Sequence, residues 1–105
     1  MDLVEAVYDV PRKFPKDELF GLTSQIRRAA VSVPSNVAEG QGRGSANEFY
    51  RYLSISYGSL REIETQLLIA LRLQYVTESD IAAAQDLCEE TGRLLNGLMK
   101  RLKAE

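Results

Sequence analysis

Residues 45–74 read SANEFYRYLSISYGSLREIETQLLIALRLQ, and the pattern inside them decides the fold. Phe49, Leu53, Ser56, Leu60, Ile63, Leu67, Ala70 and Gln74 recur at alternating spacings of four and three, which is the seam of a helix packed in a bundle. Ser45 followed three residues later by Glu48 marks the start of that helix, because each side chain can satisfy a backbone amide that has no partner in the first turn. Apolar residues also lie off the seam: Ile55, Leu68, Ile69, Leu71 and Leu73 with Tyr50, Tyr52 and Tyr57. A helix apolar around much of its cylinder needs more cover than one small bundle provides, which predicts contact with other copies of the chain.

Working outward, Thr77 and Asp80 open a second long helix with its own seam of Ile81, Ala84, Cys88, Thr91, Leu95, Leu98 and Leu102. The short Tyr75-Val76 link makes the two helices antiparallel neighbours. Upstream, Leu3, Val4, Val7, Tyr8 and Val10 form a brief stripe that Pro11 interrupts, since proline lacks an amide hydrogen. Another helix is expected from Pro15, with Leu19, Leu22, Ile26, Ala29, Ala30 and Val33 on its apolar face. Pro34 is expected to kink its end, with Asn36 satisfying freed backbone groups, before a loop over the glycine run Gly40 to Gly44. The expected architecture is all-α: one domain over residues 1–105, an up-and-down antiparallel four-helix bundle with a short first helix and a proline-kinked second helix.

Composition narrows the chemistry. The 105 residues contain no histidine, which removes the commonest general base and metal ligand together with Ser-His and Cys-His nucleophile pairs. Cys88 is the only cysteine, so neither an intrachain disulfide nor a multi-cysteine zinc site can form, and a reducing cytoplasm is expected. The acidic start and the lack of a long apolar run point away from export and from a membrane span. Thirteen Lys and Arg against fifteen Asp and Glu give a formal charge of −2, so any nucleic-acid contact must come from a local patch.

The segment Phe14 to Gly44, FPKDELFGLTSQIRRAAVSVPSNVAEGQGRG, resembles the four-helix-bundle family of proteins encoded in 23S rRNA intervening sequences. The resemblance continues through Glu48-Phe49, the stretch Gly58 to Leu67, and Leu95-Asn96-Gly97-Leu98. It implies a homopentameric ring or barrel of up-and-down protomers, in a family where most members have no established catalytic activity; no cofactor is expected. A related branch, the accessory variability determinant of diversity-generating retroelements, is similar in fold and works with a reverse transcriptase and RNA through a basic surface.

Two functions follow as expectations. The first is a non-enzymatic cytoplasmic scaffold or adaptor for a protein partner, assembled through Ile55, Leu68, Ile69 and Leu73. Its rim would be shaped by Pro34, Asn36, Glu39 and Gly40. The second is an RNA- or DNA-binding accessory factor. Arg27, Arg28, Arg43, Arg51 and Arg61 face only Glu39 and Glu48 as negative charges over residues 27–61, and interleaved tyrosines offer faces for base stacking. A plainer reading pairs Arg27 and Arg28 with carboxylates across helices and packs the tyrosines between helices. Glu39, Glu62 and Glu64 raise an oxygen-ligand metal site, but the Glu-x-x-His pattern of di-iron bundles is missing, so structural ion pairs are the expectation and no metal is assigned. Gly40 to Gly44 lack the Gly-Lys-Ser/Thr ending of a P-loop, and a helix-ending turn is the simpler role.

Overall fold

In the computed structural model, which describes residues 2–104, an acidic first turn at Asp2 and Glu5 starts α1 (Asp2–Asp9). Carboxylates there favour the positive end of the helix dipole. Leu3 and Val7, four apart, bury its inner face. Pro11 then turns the chain into a 3-10 turn, Val10–Lys13, and a second such turn covers Lys16–Glu18. α2 spans Leu22–Gly42, α3 Ala46–Arg72 and α4 Glu78–Ala104. α1 packs against α2 and α4, and α3 against α2 and α4, giving an antiparallel four-helix bundle 46 Å long.

α2 therefore starts at Leu22 and not near Pro15. Its cap comes from behind: Glu18 Oε1 accepts from the Leu22 amide at 3.0 Å. Gly21 makes room for this, since a Cβ there would lie 2.7 Å from the same oxygen. Leu19, expected on the apolar face of α2, falls before the helix and is exposed.

Nor does α2 stop at Pro34: the helix runs on to Gly42, through most of the glycine run expected to be a loop. Proline removes one amide, leaving the Ala30 carbonyl without its donor, while the buried face from Ile26 through Val33 to Gly40 keeps packing; tertiary contact outweighs local propensity. Asn36 does turn to the backbone, but toward the carbonyl and hydroxyl of Ser32, both at 2.8 Å. Gly40 lies inside the helix, where a Cβ would meet Tyr52 Cβ at 2.7 Å and Phe49 Cδ1 at 3.0 Å. Its role is close helix approach, and the left-handed glycine is Gly44, at φ +77°.

On α3 the seam from Leu53 to Ala70 is buried, and Leu60, Ile63 and Leu67 meet α4 seam residues such as Ile81, Ala84 and Cys88 in one core. Burial pushes the Cys88 thiol up to about 12. Ser56, buried on the same seam, donates its hydroxyl to the Val33 carbonyl at 2.8 Å. Gln74, expected to end the seam, instead closes the helix at φ +63°. The Tyr75 amide reaches back to Ala70 O and the Gln74 amide to Leu71 O, which is a Schellman ending.

The two predicted capping boxes differ. At α4, the Thr77 amide donates to Asp80 Oδ2 at 2.8 Å and the Asp80 amide to Thr77 Oγ1 at 3.3 Å. At α3 only half forms: the Glu48 amide donates to Ser45 Oγ, while the Glu48 carboxylate takes Arg51 instead.

Candidate assembly and nucleic-acid surfaces

The five candidate arginines all lie on α2, α3 and the turn between them, and each is engaged within the chain. Arg27 donates through Nη2 to the Tyr8 carbonyl at 3.1 Å and rests its guanidinium 4.8 Å from the Tyr8 ring centre. It thereby ties α2 to the end of α1. Arg28 reaches Ser24 Oγ at 3.4 Å. Neither makes the cross-helix carboxylate pair that the sequence suggested, because the last turn of α1 offers the Tyr8 carbonyl to Arg27 and Ser24 lies one turn before Arg28.

Arg43 and Arg51 bracket one tyrosine. Their guanidinium carbons lie 5.4 Å and 4.6 Å from the Tyr52 ring centre, and Arg43 Nη2 also donates to the Tyr52 hydroxyl at 3.0 Å. Arg43 pairs with Glu39 at 2.7 Å and Arg51 with Glu48 at 2.9 Å. These carboxylates raise both arginines above the ordinary guanidinium value, and Arg51 lowers Glu48. Arg61 pairs with Glu64 at 3.4 Å. The aromatic face of Tyr52 is thus covered by cations of its own chain, and such exposed pairs contribute little to stability.

The candidate carboxylates do not converge. Glu39 holds Arg43, Glu64 holds Arg61, and Glu62 accepts from the Gln66 amide at 3.1 Å. Among the described residues, no group of three or more metal-ligating side chains is gathered.

The four interface candidates are all exposed, at 42–53 % of their surface. At about 100° per residue, Ile55, Ile69 and Leu73 share one face of α3, whereas Leu68 sits roughly 140° round from Ile55. Ser59 on that face bonds the Ser32 hydroxyl of α2 at 2.8 Å, so Ile55, Ile69 and Leu73 line the α2–α3 side of the bundle. Leu68 belongs to the α3–α4 side, with Arg61, which borders Glu89 and Arg93 in a shallow depression there.

A second apolar patch escaped the sequence reading. Phe20 is 93 % exposed, and with Tyr8, Leu19 and Val31 it rings an open depression on the α1–α2 side that also includes Arg27 and Arg28. Phe20 lies in the turn ahead of α2, so helical spacing does not place it; Ser24, Arg27 and Val31 follow on one outward line of the helix itself. No helix among the described residues is long and apolar enough to cross a membrane. A family model described as 23S rRNA-intervening sequence protein matches residues 1–97. Comparison with the curated proteins gives no match.

Proposed function

The chain belongs to the 23S rRNA-intervening sequence protein family, and from that premise we propose that it works as a non-enzymatic, homo-oligomeric scaffold or adaptor in the cytoplasm. One observation carries the reading. Two apolar patches, Phe20 with Val31 and Ile55 with Ile69 and Leu73, lie on adjacent sides of the bundle that share α2. Two different patches joined head to tail generate a ring when the rotation closes, and adjacent bundle sides impose a turn of roughly 90° per copy, near that of a ring of four or five. The homopentamer implied by the family resemblance fits that range. The test is native mass spectrometry at micromolar concentration: a closed ring mass supports the reading, and a lone protomer overturns it.

An RNA- or DNA-binding accessory role, as in the retroelement branch that the sequence resembles, has weaker support. Arg43, Arg51 and Arg61 already face carboxylates, so phosphate would have to displace them. Binding through these arginines would weaken steeply as salt rises, and Arg→Gln changes would flatten that slope. A salt-independent or absent signal rejects the role.

A further inference from the structure

Leu3 and Val4 of α1, Val37 of α2 and Leu98 of α4 line an apolar groove of about 320 Å³, with Leu94 at its lip, 64 % exposed. The outward face of α4 along this lip carries Glu90, Leu94, Gly97 and Arg101.

Those four positions are spaced 4-3-4, a pattern that reads the same in both directions. Two copies of α4 laid antiparallel, with a two-fold axis midway between Leu94 and Gly97, set Glu90 of each copy against Arg101 of the other. The same register sets Leu94 of each against Gly97 of the other. Charge and size agree in this register: carboxylate meets guanidinium, and a large side chain meets a glycine whose missing Cβ faces open space. Among the described residues neither Glu90 nor Arg101 has an ion-pair partner in its own chain. The wider helix supports the same orientation, since Asp80, Asp86, Glu89 and Glu90 fall in its first half and Lys100, Arg101 and Lys103 at its end.

We propose that the α4 lip is a second self-association surface, where a second copy docks antiparallel across a two-fold axis. The contact lies on the opposite side of the bundle from Ile55, Ile69 and Leu73, and no α4 residue lines the depression around Phe20 and Val31, so it joins copies independently of the ring.

The experiment uses the full chain carrying Ile69→Asp, which opens the ring contact, and reads mass by sedimentation equilibrium. A dimer is expected. Glu90→Arg or Arg101→Glu alone should weaken it at least tenfold, and Glu90→Arg combined with Arg101→Glu should restore it, because each copy then carries both halves of the reversed pair. Mixing Leu94→Cys chains with Gly97→Cys chains under mild oxidation should favour the mixed disulfide over either homodimer, with buried Cys88 silent. A monomeric Ile69→Asp chain overturns the α4 contact, and if the unmodified chain is still a ring, the assembly reading stands. Charge reversals without effect, a double reversal that fails to restore the dimer, or a foreign polypeptide held in the groove also overturn it.

Discussion

The Tyr75 hydroxyl donates to Glu18 Oε2 at 2.7 Å, joining the α3–α4 link to the entry of α2 across 57 positions of sequence. The other oxygen of that carboxylate caps Leu22. The Leu22 amide and then the Tyr75 hydroxyl hold Glu18 below the ordinary carboxylate value, and Glu18 in turn raises Tyr75 above 10.0. A depressed carboxylate stabilises the fold above its unfolded pKa of about 4.3, and that contribution fades as pH falls through the lower folded value. A raised tyrosine works in the opposite sense: its contribution is complete below about 10 and fades as pH climbs through the folded value. The melting temperature should therefore hold a plateau between roughly pH 5 and 8 and fall on either side, the alkaline limb carrying the raised Cys88 thiol as well as Tyr75. Tyr75→Phe should lower the plateau and soften the alkaline fall; an unchanged alkaline limb would contradict the assignment.

Gln74 holds φ +63° at the position where a Schellman ending usually places glycine. Gln74→Gly should stabilise the chain by about 1 kcal/mol, the cost of a left-handed side-chain residue. Urea unfolding would show it as a higher midpoint at constant slope.

Gly40 predicts the reverse. A methyl group at Gly40 would sit 2.7 Å from Tyr52 Cβ, so Gly40→Ala must push α2 and α3 apart. A loss of about 1–3 kcal/mol is expected, despite the better helix propensity of alanine. Gly58→Ala, with nothing within 4 Å, is the control and should stabilise slightly.

Phe20→Asp and Ile69→Asp should each shrink the assembly while leaving helical circular dichroism intact, weakening association at least tenfold (about 1.4 kcal/mol). Leu68→Asp, on a different side of the bundle, should do much less to the ring. Equal effects of all three on sedimentation would show that the two apolar patches are not the contact.

Periodic features were legible in advance because they depend on short-range spacing: the seams of α3 and α4, the Thr77–Asp80 cap and the short α1. What escaped depends on partners distant in sequence. Continuation through Pro34 and the need for glycine at 40 both come from packing between α2 and α3. Glu18 reads as an ordinary first-turn acid until Tyr75 is beside it. For the surfaces, the apolar excess of α3 could be seen, but not that Leu68 points away from Ile55, nor that Phe20 stands clear of the core. The arginines were visible as a cluster, while their carboxylate and tyrosine neighbours were fixed only by side-chain placement.

Cys88 has no exposed surface and a thiol that resists ionisation at physiological pH. An alkylating reagent can then modify the chain only during moments when α3 and α4 part, so the labelling rate counts those openings. The chain thus contains its own clock for breathing of the bundle, readable as a single mass increment without any engineered probe.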